Sequence, residues 1–261
     1  MFSLFDKHQR NTVQAVDQIE SIVYEALKPY GFRKHGRTLH RFVDGDISQV
    51  IHFQSGLPSM GKRNLMCVNL GIRVPESFER TFTVKESPRK YYHEYECNIR
   101  SRLSVLCSGQ DSWYDLEKNP KIIGRDILEK LKHNALPIFN TLNSRDAILA
   151  HRAEYPAFDD NRSLIKLEES MIYGRRGEMS KAISLFQEYF DEVLAAYNRK
   201  LEHGTQIYLR KGESVIYRNE KTGKTETVFA EENGYVTLYD ANCAHLDYLK
   251  KLAQTLNIPL E

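Results

Sequence analysis

Apolar residues in the first half of the chain recur with two different periods. Between Tyr30 and Val74 the period is two. Ile47, Gln49, Ile51 and Phe53 share one side of an extended segment, with Ser48, Val50, His52 and Gln54 on the other. From Leu65 the pattern sharpens: Met66, Val68, Leu70, Ile72 and Val74 alternate with Leu65, Cys67, Asn69, Gly71 and Arg73. One face of that strand is apolar and the other mostly polar. Asp44-Gly45-Asp46 is a tight-turn signal, so 38–43, 47–54 and 65–74 predict an antiparallel meander. A fourth alternating run, Tyr95 to Leu103, predicts a fourth strand with a charged outer face.

The helical period flanks these strands. Val13, Val16, Ile19, Ile22, Val23, Ala26 and Leu27 form one stripe behind a Thr12 cap, ended by Pro29 and Gly31. Ile123, Ile127, Leu128, Leu131, Ala135, Ile138, Phe139 and Leu142 mark a second helix over 121–142. Asn143 or Ser144 caps a short one after it. The segments 55–61 and 76–93 read as loop and mostly irregular chain. The expected class is α+β, an antiparallel sheet of about four strands packed on two amphipathic helices.

The run Tyr155-Pro156-Ala157-Phe158-Asp159-Asp160-Asn161 is the best linker candidate, giving domains 1–154 and 155–261. Beyond it, Leu164, Leu167, Met171 and Ile172, a break at 173–177, then Ala182, Ile183, Phe186, Tyr189, Phe190, Val193 and Leu194 predict a helical hairpin. It resembles one tetratricopeptide-type unit, but no second copy follows at the repeat period. Short β-like runs occupy 206–209 and 214–217, with turns at 221–224 and 232–234. Asn233-Gly234 predicts a hairpin between 225–230 and 235–239. A last helix, capped by Asn242, carries Leu246, Leu249, Leu252, Ala253 and Leu256 and stops near Pro259.

The stretch from Gly31 to Phe42 (GFRKHGRTLHRF), the Asp44–Gly56 run (DGDISQVIHFQSG with Val43 between), and Val68-Asn69-Leu70-Gly71-Ile72, followed by Trp113 and a long amphipathic helix, resembles the bacterial domain of unknown function family 4304 over about residues 12–150. The resemblance implies a fold. The family carries no established reaction or cofactor, so it passes no catalytic residue to this chain.

Composition narrows the picture without deciding it. At 261 residues, with 41% apolar and 28% charged positions, the chain has the balance of a soluble globular protein. A net charge of +2 gives no overall pull toward nucleic acid or acidic membranes. Cys67, Cys97, Cys107 and Cys243 lack CxxC spacing, which favours reduced thiols in a cytoplasmic protein over a structural zinc site. The first residues lack the apolar core of a signal peptide, and no run of about 18 apolar residues is long enough to span a membrane.

Candidate chemistry is correspondingly sparse. HExxH, a Walker loop and Gly-x-Ser-x-Gly are all missing, and His93, Glu94 and Glu96 fall short of a metal-ligand pattern. No catalytic residue, metal or cofactor is expected. The basic residues Arg33, Lys34, Arg37 and Arg41 suit contact with an acidic surface or phosphate, against the plainer role of a solvated face. Gln49, His52, Gln54 and Asn69 lie on paired strands where polar side chains could meet at a shallow site, or simply face water. Trp113, with Tyr91, Tyr92, Tyr95 and Tyr114, suits an interaction patch, or closure of the core between sheet and helix. The reading these features favour is a non-catalytic cytoplasmic bacterial binding protein with another protein as partner, one version being an immunity or accessory protein that neutralises a toxin. The alternative is a nucleic-acid-handling factor or an enzyme with a site around 33–54.

Overall fold

The computed structural model describes residues 4–56, 61, 64–78, 89–159, 164–241 and 243–260. The chain divides into two compact units, one ending at Ile165 and one beginning at Lys166.

In the first unit, helix α1 (Leu4–Leu27) precedes strands β1 (Arg33–His35), β2 (Thr38–Val43), β3 (Ile47–Ser55) and β4 (Leu65–Arg73). Strand β5 (Ile99–Arg102), the short helix α2 (Leu103–Ser108) and strand β6 (Tyr114–Asp115) follow. Helix α3 (Pro120–Lys130) then runs through a π-helical turn (Leu131–Ala135) into α4 (Leu136–Thr141), and α5 (Arg145–His151) comes next. The π turn has a sequence cause: Pro137 lacks the N–H that would bond one turn back, and the wider turn absorbs the defect. The strands form one antiparallel sheet in the order β1-β2-β3-β4-β5, and β6 pairs with the start of β4.

The class is therefore α+β, and the three central strands fall where period two places them. Met66, Val68, Leu70, Ile72 and Val74 are buried, facing the helices with Ile47, Ile51 and Phe53. Val16, Ile19, Val23 and Leu27 bring α1 onto this layer, and α3 approaches α1 closely at Gly124, where an added Cβ would lie 3.1 Å from Ile22 Cδ1. Three expectations need correction. Thr12 does not start α1, which begins at Leu4; its hydroxyl donates instead to Asn64 Oδ1 (2.9 Å). Val13, counted in the apolar stripe, is exposed. The fourth strand covers only Ile99–Arg102, because Tyr95 lies in a 3-10 turn and Leu103 opens α2.

Polar side chains inside this unit are tied into the fold. Gln49 is fully buried; its Nε2 donates to the carbonyls of Phe139 (2.6 Å) and Leu142 (3.3 Å) at the end of α4. Its Oε1 accepts from Arg41 Nε (2.7 Å), and Arg41 also donates to Tyr30 O and Asn140 Oδ1 while lying over the Phe32 ring. The β2–β3 turn holds Asp44 at φ 46° and Gly45 at φ 83°, left-handed values that suit these residue types. Asp44 and Asp46 do more than turn the chain: together with the buried Glu76 they bind the Arg145 guanidinium. Ser144 caps α5 as its sequence suggests. The segment read as a linker carries a 3-10 turn (Pro156–Phe158), with Phe158 fully buried edge-on to Phe139 and Asp159 paired with the buried Arg152 at 2.6 Å; residues 160 and 161 lie outside the described residues.

In the second unit α6 (Ile165–Arg175) and α7 (Met179–His203) make the expected helical hairpin, although α7 has 25 residues against 11 in α6. Strands β7 (Thr205–Leu209), β8 (Ser214–Asn219), β9 (Lys224–Phe229) and β10 (Gly234–Leu238) precede α8 (Ala244–Leu256). The hairpin expected at Asn233-Gly234 does not form. Instead β9 pairs with β8, and β10 pairs with β7. The deciding turn is 220–223, where Gly223 takes φ 70° and Asn219 Oδ1 accepts from the Lys221 and Thr222 amides. Asn233 serves elsewhere, accepting from the Lys211 amide. Asn242, the expected α8 cap, lies outside the described residues. Among the described residues no helix is long and apolar enough to cross a membrane.

Replacing Gln49 with Ala leaves the carbonyls of Phe139 and Leu142 without their buried donor and removes one of the three acceptors of Arg41. It is expected to lower unfolding stability by about 2–4 kcal/mol, read from urea denaturation.

Candidate functional site

The sheet's second face, away from the helices, carries Thr38, His40 and Phe42 on β2, Ser48, Val50, His52 and Gln54 on β3, Cys67, Asn69, Gly71 and Arg73 on β4, and Arg100 and Arg102 on β5, as the strand register requires. Its residue types are polar, and the sequence suggested a wettable surface. The structure corrects this: Ser48, Asn69 and Arg73 are buried, because residues 89–98 lie across the face as a strap. Gly71 makes that possible. A Cβ there would stand 2.6 Å from Cys97 Sγ and 2.7 Å from Cys97 Cβ, so only glycine lets the strap rest on β4. Asn98 fastens its far end, accepting from the Val74 amide at 2.8 Å.

The strap divides its aromatic residues between inside and outside. Tyr92 is buried, with the Arg73 guanidinium 4.1 Å from its ring centroid and Phe42 edge-on. Tyr91, His93 and Tyr95 line up outside. His35 stacks on Tyr91 at 3.6 Å, Tyr91 meets His93 edge-on at 5.4 Å, and His93 stacks on Tyr95 at 5.1 Å. Tyr95 is 69% exposed at the end of this row. A 3-10 turn (Glu94–Glu96) fixes it: Glu96 Oε2 accepts from the His93 amide at 2.9 Å, and Glu96 pairs with Arg89.

Beside the row lies a cleft of about 490 Å³ lined by Gln54, Asn69, Glu94, Arg100, Ser101, Arg102, Val105 and Asp111. Asn69 Nδ2 donates to Gln54 Oε1 at 2.8 Å. Arg102 pairs with Asp111 and lies 5.1 Å from the Trp113 ring; Arg100 stands 3.7 Å from Glu94.

Residues 23–141 match the family described as Domain of unknown function (DUF4304). The DUF4304 segment takes in the whole sheet, the strap, the cleft and helices α2 to α4. Neither a curated protein nor a solved structure matches the chain.

Within the DUF4304 segment the residues singled out from sequence separate into two sets. Gln54 and Asn69 line the cleft, Trp113 borders it through Arg102, and His52 sits directly opposite Asn69 in the ladder. Trp113 is half-buried on this face and does not close the core beneath the helices; Tyr114 takes that side, bonding Asp126 at 2.9 Å. Gln49, Lys34, Arg37 and Arg41 belong elsewhere. Lys34 pairs with the buried Glu20 at 2.9 Å, Arg37 donates to Ser55, and Gln49 and Arg41 hold α4. Arg33 alone of the basic set stands exposed without a described internal partner on β1. The sequence places Arg100 and Arg102 on the charged outer face of the fourth strand, which is the correct side, and weighs Glu94 only as a metal ligand; Asp111 carries no signal, and only the fold brings Glu94 and Asp111 to meet the two arginines. In the second unit Tyr208, Ile216, Phe229 and Tyr235 stand exposed on the two β-ribbons. No group of three or more potential metal-ligating side chains occurs among the described residues.

His52 shares a 3.0 Å hydrogen bond with the Thr38 hydroxyl. Burial holds its pKa below the usual 6.5, and the nearby His93 and Arg37 charges push it the same way. His40 is lowered for the same first reason, burial, reinforced by His35 and Arg33. The unfolded chain therefore binds more protons than the folded one below 6.5, and stability is lost as pH falls through that value. His52→Gln is expected to flatten the slope of unfolding free energy between about pH 5 and pH 7, measured by urea titrations across that range.

Gly71→Ala should displace the strap and cost about 1–3 kcal/mol. Cys97→Gly in the same chain recovers part of the loss, and a double-mutant cycle on unfolding stability checks the coupling.

Proposed function

We propose that the first unit is a non-catalytic binding module that works in the cytoplasm and engages a protein partner through the strap side of its sheet. An immunity or accessory role, in which the partner is neutralised by contact, is the version this reading favours. The observation that carries it is the ring row His35–Tyr91–His93–Tyr95, which ends in a Tyr95 that is 69% exposed yet stacked and pinned by a hydrogen-bonded turn. Aromatic side chains presented rigidly lose little conformational freedom on binding, and such residues dominate the energetics of interfaces.

Two further features support a contact surface over chemistry at this face. The cleft's charged groups already engage one another, Arg102 with Asp111 and Arg100 with Glu94. The described hydrogen bonds of the His52 side chain go to the Thr38 hydroxyl and the Arg37 backbone. The nucleic-acid alternative is weakened because Lys34, Arg37 and Arg41 are engaged within the fold, leaving Arg33 without the neighbours a basic patch needs.

The test is comparative capture from the source cell. A partner bound by the full chain should be retained by Tyr208→Ala and lost from Tyr95→Ala, with affinity down roughly thirtyfold as for an interface hot spot. Identical captured sets for the native chain and Tyr95→Ala would remove the reading.

A further inference from the structure

Strands β7 to β10 of the second unit are successive lengths of one long hairpin. β8 pairs with β9 from Ser214↔Phe229 to Asn219↔Lys224, and β7 with β10 from Thr205↔Leu238 to Leu209↔Gly234. Between these lengths the two arms stay joined: the Gly212 amide donates to Ala230 O and the Ala230 amide to Glu213 O, both at 2.9 Å. The hairpin folds back on itself, since the Glu220 amide near its tip donates to Tyr239 O at its base (2.8 Å). One face of the β8–β9 ribbon is turned outward. It carries Ser214, Ile216 and Arg218 against Phe229, Thr227 and Thr225, all six exposed. Ile216 and Phe229 are diagonal neighbours on it, 69% and 62% exposed. Clustered apolar side chains of this size mark an interaction surface where a scattered one would not. Charge is ordered around them. Two residues beyond Ile216, toward the tip, stands Arg218, with Glu220 3.7 Å from its Nε and its side chain 71% exposed. Two residues beyond Phe229, toward the bend, stands Glu231, exposed, without a described ion pair, and lining the same hollow as Phe229 and Tyr235. Along the ribbon the row therefore reads acid, apolar, apolar, base. Turned end for end it meets its own complement, with base over acid and Ile216 over Phe229.

We propose that this face is a self-association surface whose occupant is a second copy of the chain, laid end for end on the β8–β9 ribbon about a two-fold axis. Ile216 of each copy packs on Phe229 of the other, and Arg218 of each meets Glu231 of the other. Such a contact uses one patch twice, so the patch must complement itself, and the order of this row does so. Face-to-face sheets cross obliquely, by about 30°, which suits a row that runs from one arm of the ribbon to the other. Each strand has six residues, a length of roughly 20 Å, so the contact is at the small end of specific interfaces. The dimer is accordingly expected to form with a Kd of roughly 10–100 μM. This inference does not rest on protein docking at the ring row.

Sedimentation velocity on the full chain tests it, over protein concentrations spanning the expected Kd up to about 300 μM. The native chain should pass from monomer to dimer, and Phe229→Ser should remain monomeric. Arg218→Glu and Glu231→Arg should each weaken association roughly fivefold or more, because each sets like charges together at two places in the dimer. The chain carrying both changes exchanges the charges without removing the pair, and its affinity should return to within roughly threefold of the native value. All three side chains are exposed, so the variants should fold, and an unchanged circular dichroism spectrum checks that they do. A native chain still monomeric at about 300 μM would overturn the proposal. So would a dimer that survives Phe229→Ser, a doubly changed chain no tighter than either single variant, or growth past the dimer, which a closed two-fold contact forbids.

Discussion

A missing side chain governs the strap-covered face of the sheet. At Gly71 the backbone of β4 lies bare, and Cys97 occupies the space that any Cβ would take. Close approach of two backbones across a sheet face is a glycine-dependent arrangement. Once Cys97 is seated there, the strap leading to it must cross β4, and its alternate residues divide between the sheet and solvent. Tyr92 goes inward against Arg73, while Tyr91, His93 and Tyr95 go outward in a row. Where the strap ends, Arg100 and Arg102 emerge on the edge strand and the cleft opens.

Covering both faces of the central strands brings polar groups into the interior, and the fold answers several of them with specific partners. Gln49 satisfies carbonyls at the C-terminal end of α4, where a helix leaves its last acceptors unpaired. Arg145 gathers Asp44, Asp46 and Glu76, joining the β2–β3 turn to the start of α5. These contacts set positions more than they add stability, since desolvation offsets most of the attraction in a buried ion pair. Their consequence is a rigid sheet, on which an exposed ring row can be held in one orientation.

The same pairing of charges disperses the basic segment of the sequence. A run of five cations and two histidines with no acid between them looks like a patch when written in one line. Folded, it alternates across a two-stranded edge. Lys34 and Arg41 point to the helices and Arg33 and His35 to the strap side, as period-two geometry demands. A sequence cluster on a strand is halved by the strand itself.

Local pattern by itself determined the α+β class, the three central strands, the two long amphipathic helices and the helical hairpin, because each repeats its signal over many residues and buries a continuous face. It also placed Gln54 and Asn69 on the same side of neighbouring strands, since that follows from register alone. It gave short elements poorly. The run from Tyr95 to Leu103 alternates like one strand yet becomes a 3-10 turn, four strand residues and a helix, because the seat at Gly71 captures Cys97. The Asn233-Gly234 turn signal likewise yielded to pairing of β10 with the more distant β7. Only the tertiary structure decided which cations became structural and that Glu94 and Asp111 would meet Arg100 and Arg102, since those contacts join residues with no shared period along the chain.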